Sequence, residues 1–128
     1  MLKEGIKGTG EVVVTEALTA KTMGSGELDV YATPAMIALM EQTAYQSVGS
    51  ELEEGMGTVG TLMNVQHLAA SPVGMKISCE TELVEVDGRR LVFSVSASDE
   101  KGLIGKGTHE RFIVDNAKFQ SKADAKLQ

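Results

Sequence analysis

Glu41 sits in the most apolar helix-like stretch of the chain. Residues 35–40 are all apolar, and apolar residues resume at Ala44, Tyr45 and Val48. Burying a lone charged carboxylate is costly, so Glu41 must be paired, hydrogen-bonded, protonated or turned to solvent. Enclosed, it is a candidate nucleophile or general base; on a partly exposed stripe, it is an ordinary interfacial glutamate. Its helical neighbours Ile37, Ala44, Tyr45 and Val48 bring no cation. His67 is one of two histidines. It alternates with Met63 and Val65 on one strand face, either as a satisfied rim histidine or as a proton carrier near neutral pH. Two titratable groups among apolar neighbours, on elements expected to pack together, weaken the purely structural reading of both.

Thr33 precedes the helix as an N-cap, with Pro34 pre-set for the first helical position. A helix start is also where a developing oxyanion is stabilised, and the donors would come from Ala35 onward because Pro34 has no N–H. "GKGTHER" (105–111) places Gly105, Gly107, His109 and Arg111 on one strand face. Two glycines on one face point to a close approach by backbone, helix or ligand. Arg111 is a candidate for holding a carboxylate or phosphate, against an exposed final strand as the plainer alternative. No dinucleotide or phosphate-loop glycine motif, HExxH, GxSxG or metal-spaced Cys/His set is present.

The elements that must position these groups follow from periodicity. A β-branched run at Val12–Thr15 marks a first strand. Residues 21–32 read as a Gly-rich loop with a brief extended piece. Residues 33–49 form the helix, closed by Gly49, with one more turn within 50–55. Its early part is apolar almost all round, which predicts an enclosed helix. Period-two patterns then run over 59–69, 75–86, 91–97 and 104–114, with "SPVG", "DG" and "DEKG" as turns. The inward set is Met75, Ile77, Cys79, Thr81 and Leu83, then Leu91, Phe93, Val95 and Ala97. The order is strand, buried helix, then four consecutive antiparallel strands: an α+β domain with a sheet curled around one helix. Residues 119–128 are polar and expected to fray.

The chain has 128 residues and suits one domain over 1–128. Aromatics make up only 4% of it and Trp is absent. Val, Leu, Ile, Met and Ala must therefore pack the core, and a partner subunit is expected to complete its burial. A net charge of −6 excludes the basic footprint of a nucleic-acid binder. The single cysteine, Cys79, allows no internal disulfide and reads as a small core residue. With no leader segment and no membrane-length apolar run, a soluble cytoplasmic protein without membrane contact is expected.

Taken together, the segments "ALMEQTA" (38–44), "GTLMNVQHLAASPVG" (60–74), "VEVDGRRLVFSVSASD" (84–99) and "GKGTHERFIV" (105–114) carry a resemblance. The chain is similar to the hotdog-fold acyl-CoA thioesterases, above all the fluoroacetyl-CoA thioesterase group, over roughly residues 5–120. Thr33, Glu41 and His67 fall at the spacing of that family's catalytic Thr, Glu and His. The resemblance implies a hotdog domain working as a homodimer, with tetramer left open, and its site at the subunit interface. It implies hydrolysis of an acyl-CoA thioester to a carboxylic acid and CoA, with CoA as part of the substrate and no metal or other cofactor. Gly60 matches a site-lining glycine and Arg111 a nearby arginine. Tyr31 and Met36 complete the expected substrate contacts, within a Met-rich lining that includes Met40 and Met63. Lys76, Arg89, Arg90 and Lys106 are candidates for the CoA phosphates. Fluoroacetyl-specific members have a longer, Phe-containing lid before the Thr, whereas "KTMGSGELDVY" here is short and has no Phe. The chemistry carries over; the fluorinated acyl preference does not. A non-catalytic acyl-CoA binder is the alternative, and a hotdog hydratase or dehydratase is disfavoured because no "GHFP"-like stretch occurs.

Overall fold

The computed structural model describes residues 1–128. It has strands β1 (Lys7–Val13), β2 (Met56–His67), β3 (Lys76–Asp87), β4 (Arg90–Asp99) and β5 (Gly102–Asp115). The helices are α1 (Ala20–Met23), α2 (Thr33–Val48) and α3 (Asn116–Asp124). All five strands form one antiparallel sheet in the order β1-β3-β4-β5-β2. α2 packs chiefly across β1 and β3. This is the sheet-over-helix, α+β arrangement that the resemblance implies.

The inner faces of β3 and β4 are as periodicity predicts. Ile77, Cys79, Thr81 and Leu83, then Leu91, Phe93, Val95 and Ala97, are all buried, whereas Met75, the first of the expected set, lies just before β3 and is only half-buried. They meet a stripe of α2 made of Ala35, Met36, Leu39, Met40, Thr43, Ala44 and Val48. Two expectations about α2 are corrected. The helix is not enclosed: Ala38, Gln42, Tyr45 and Gln46 face solvent, because one sheet can cover only one side of it. Thr33 is not its N-cap: Ala32 holds that position, without a side-chain cap, and Thr33 is already helical. The Thr33 hydroxyl is engaged elsewhere.

The four later strands are not one meander. β3, β4 and β5 are joined in order by tight turns, but β2 pairs with β5 and forms the sheet edge. The segment 68–75 carries the chain from that edge across the end of the sheet. Leu68 and Ala69 N–H donate to the Ile104 carbonyl, Tyr31 N–H to Ser71, and Gly74 N–H to Val14. A two-residue hairpin could not span the intervening strands. β1 begins earlier than its β-branched run suggests. Gly8 and Gly10 admit α2 so closely that a Cβ on Gly8 would lie 2.8 Å from Ser47 Cβ and 2.9 Å from the Thr43 carbonyl oxygen.

The Gly105 and Gly107 approach is answered within the chain. A Cβ on Gly105 would lie 2.6 Å from Met36 Sδ, and one on Gly107 would lie 2.6 Å from Val65 Cα. Helix and neighbouring strand fill those spaces. The loop 21–32 contains the short helix α1, ended by Gly24 in the left-handed region at φ 76°. It also holds the extended contacts Thr19–Tyr31 and Val30–Pro72. The tail expected to fray begins instead within α3. Asp115 caps that helix by accepting from Lys118 N–H, which satisfies one of the orphan donors of its first turn. No helix is long and apolar enough to cross a membrane.

Candidate active site

Two clusters of functional side chains form on this frame. The first lies at the start of α2. Thr33 Oγ1 is 2.7 Å from His67 Nδ1 at the end of β2. The Tyr31 ring meets the His67 ring edge-on, with centroids 6.5 Å apart at 82°. Burial lowers the His67 pKa, opposed in part by the Ala69 carbonyl, so the ring is neutral near pH 7. Its Nε2 is enclosed, and no group of the chain meets it in good hydrogen-bond geometry, the Ala69 carbonyl included. When the Thr33 hydroxyl donates to Nδ1, Nε2 carries the proton and is the group left to meet a substrate. Burial, with Cys79 nearby, pushes the Tyr31 phenol up to about 12, so it stays protonated. A cavity of about 260 Å³ adjoins the cluster, lined by Tyr31, Thr33, His67 and Leu68 among others.

The second cluster surrounds Glu41 near the middle of α2. Glu41 Oε2 lies 3.9 Å from Arg111 Nη1, and its side chain is 43% exposed. Arg111 is itself buried. Its Nε donates to Thr58 Oγ1 at 2.7 Å and its Nη2 to the Thr58 carbonyl at 2.9 Å. Its guanidinium carbon stands 5.6 Å over the Tyr45 ring. Burial lowers the Arg111 pKa, while the Glu41 charge opposes that shift. Gly60 is the floor of the cluster, since a Cβ there would lie 2.7 Å from Glu41 Oε2. Beside it the β2–β5 register slips between Gly60 and Leu62, the kind of bulge that re-aims side chains at functional sites.

Within one chain these clusters do not meet. Thr33 and Glu41 are eight residues apart on one straight helix, about 12 Å along its axis. Gly60 and His67 are at opposite ends of the same stretch of β2, roughly 20 Å apart. No hydrogen bond or ion pair joins Glu41 to Thr33 or His67. The arrangement is two separate clusters, one of a hydroxyl and a neutral imidazole, the other of a carboxylate beside a cation.

Of the other residues singled out from the sequence, Tyr31 lines the cavity beside His67. Met36 does not: it is fully buried beneath Gly105, and Met40 is buried in the same core. Among the cations considered for CoA phosphates, Lys76 pairs with Glu11 at 2.7 Å. Arg90 pairs with Glu85 at 2.8 Å and Glu110 at 2.9 Å. Lys106 lies on the outer face of the sheet beside Asn64, Gln66 and Thr108, and Arg89 is exposed in the β3–β4 turn. No group of three or more His, Cys, Asp or Glu side chains is placed to hold a metal ion. Thr58 and Tyr45 are the contacts that sequence reasoning missed. Thr58 lies 53 residues from Arg111, and only strand pairing brings it there.

Comparison with known proteins supports the same region of the chain. A family model described as fluoroacetyl-CoA-specific thioesterase matches residues 14–117. The fluoroacetyl-CoA thioesterase of Streptantibioticus cattleyicolor is 42% identical over 98 residues, covering 77% of this chain and 70% of that protein. A solved structure of the fluoroacetyl-CoA thioesterase FlK superposes with a TM-score of 0.93 at 36% identity, over 98% of each chain. A hot-dog-like protein from Thermanaerovibrio acidaminovorans superposes with a TM-score of 0.89 at 23% identity, over 99% of this chain and 94% of that one, a likeness of fold alone.

Proposed function

This chain belongs to the fluoroacetyl-CoA-specific thioesterase family and hydrolyses acyl-CoA thioesters, and from that premise we propose that its working site joins two subunits. Thr33 and His67 come from one subunit and Glu41 from the other. The observation that carries this reading is the separation of the half-sites: within the chain, the Thr33–His67 pair is formed, yet Glu41 is out of its reach and open to solvent.

The edge strand β2 supplies the means. An edge strand presents a row of unpaired N–H and C=O groups that invites another strand. If two copies of β2 pair antiparallel about a twofold axis between Met63 and Asn64, His67 falls opposite the partner's Gly60. That places the Thr33–His67 pair beside the partner's Glu41 and covers the exposed side of both helices. Such a contact is isologous, as a twofold interface requires.

In this site Glu41 is the reacting carboxylate. It attacks the thioester carbonyl to give an acyl anhydride that water then opens, or it takes the proton from the attacking water. Arg111 keeps a positive charge beside it. The Thr33 hydroxyl holds the His67 ring, whose Nε2–H faces the substrate and donates a hydrogen bond to the thioester sulfur, easing departure of the CoA thiolate, which takes its proton from water. Backbone N–H groups at the α2 start or near Gly60 hold the oxyanion, and loss of one such donor costs about 10²–10³ in rate.

Subunit mixing tests this directly. Glu41→Gln and His67→Ala homodimers should each be nearly inactive. After unfolding and refolding a one-to-one mixture, half of the dimers are hybrids with one intact site. Activity should then recover to about a quarter of wild type. A mixture that stays inactive while hybrids form would show that both residues act from one chain. Wild-type turnover in either single variant would remove that residue from the catalytic set.

A further inference from the structure

The second histidine has no part in the reaction described above, yet it is held by more contacts than the first. His109 is 1% exposed, on the inner face of β5. Its Nδ1 is 2.8 Å from the Leu62 carbonyl oxygen and its Nε2 is 3.2 Å from Arg111 Nη1. A carbonyl can only accept, so Nδ1 must carry the proton. A guanidinium can only donate, so Nε2 must present its lone pair. The two contacts demand the same neutral tautomer. Phe93 packs against the ring at 6.2 Å with a 30° tilt. Burial, aided by the Arg111 charge, lowers the His109 pKa in the same sense.

This ring completes the restraint of Arg111. Thr58 takes Nε and Nη2, and His109 takes Nη1, the same nitrogen that faces Glu41. Gly60 touches all three groups. A Cβ there would lie 2.7 Å from Glu41 Oε2, 3.3 Å from Arg111 Nη1 and 3.4 Å from His109 Cε1. We propose that His109 is a positioning residue for the thioesterase reaction, its neutral Nε2 fixing the Arg111 guanidinium where it orients the Glu41 carboxylate. The inference rests on Glu41 being the reacting carboxylate. It assigns the two histidines different tasks: His67 meets the substrate, and His109 acts only through Arg111.

Two substitutions separate the two bonds of the ring. Asparagine can set its amide nitrogen near the Nδ1 position, keeping the Leu62 bond and losing the acceptor for Arg111. Glutamine can set its amide oxygen near the Nε2 position and keep that acceptor. On an acyl-CoA panel, His109→Asn should lower kcat by about 10–100-fold with KM changed less than about threefold, because a misplacement near 1 Å costs up to about 10² in rate. His109→Gln should recover most of the loss. Adding His109→Asn to Arg111→Ala should cost nothing further, as coupled residues require. Glu41→Gln runs alongside. If it is inactive while His109→Asn turns over as wild type, the positioning role is overturned and the Glu41 reading stands. If Glu41→Gln itself turns over as wild type, both fall. Should His109→Asn fail to fold, ring-nitrogen NMR of the wild-type protein decides. His109 should show the Nδ1–H neutral tautomer at pH 7, and an Nε2–H tautomer or an imidazolium would overturn the proposal.

Discussion

Gly60→Ala is the sharpest probe of the Glu41 cluster. A Cβ at this position would lie 2.7 Å from Glu41 Oε2, whereas ordinary contact begins at 3.4 Å. The carboxylate must therefore retreat by roughly 0.7 Å. It is the end of a flexible side chain, so the strand need not move. The backbone at Gly60 is not in the left-handed region, so alanine fits its conformation. It also reduces the entropy of the unfolded chain by about 0.4–1 kcal/mol. The two effects nearly cancel in stability, and the melting temperature should stay within about 3 °C of wild type. The reaction is less forgiving, since a 1 Å misplacement costs up to about 10² in rate. A 10–50-fold fall in kcat is expected for a displacement of this size, read by thiol release from an acyl-CoA under saturating substrate. Gly107→Ala is the contrasting control. There the new Cβ would meet backbone, 2.6 Å from Val65 Cα, so two paired strands must part. That variant should melt early while its folded fraction keeps its turnover. Wild-type kcat in Gly60→Ala, or a loss that tracks unfolding, would refute the claim that Gly60 exists to make room for the carboxylate.

Two other outcomes follow from the same geometry. Thr33→Val keeps the shape of the side chain and removes the hydroxyl that lies 2.7 Å from His67 Nδ1; kcat should fall at least tenfold, Thr33→Ser should retain most of it, and equal activity in both would dismiss the hydroxyl. Stability should also depend on pH in a defined direction. Both histidines have lowered pKa values when folded, so below about 6.5 the unfolded chain takes up protons that the folded chain refuses. Stability should be level above that pH and decline as pH falls through the folded values. Glu110 beside Arg90 and Asp99 beside Ser71, whose carboxyls are also held low, extend the decline below about pH 4.5. A melting temperature that rises from pH 7 to pH 5 would contradict both histidine shifts.

Much of this protein is legible in its sequence because much of it is local. Alternation over 75–86 and 91–97 correctly assigns the inner faces of β3 and β4, since side chains on a strand must alternate whatever the strand pairs with. The helix over 33–48 follows from Pro34, its apolar run and Gly49. The ordered set Thr33, Glu41 and His67, with the segments around it, identifies the family before any coordinates. The glycine pair marks the close approaches at Gly105 and Gly107, though not what approaches; Gly60 is singled out only by the family resemblance.

The rest depends on contacts between residues far apart in the chain. Period two cannot state which strand β2 joins, and its place at the edge beside β5 is what leaves one side of it unpaired. Thr33 fits a cap by composition, but its hydroxyl goes to His67, 34 residues away. Arg111 and His109 look equally at home on an exposed last strand. Their partners Thr58 and Leu62, 53 and 47 residues distant, bury them and turn them toward Glu41. Local sequence determines periodicity, turns and residue types. Only the tertiary fold decides which hydrogen-bond acceptor each side chain meets, because that choice depends on strand order and register, and it is the choice that sets the Thr33–His67 pair apart from Glu41.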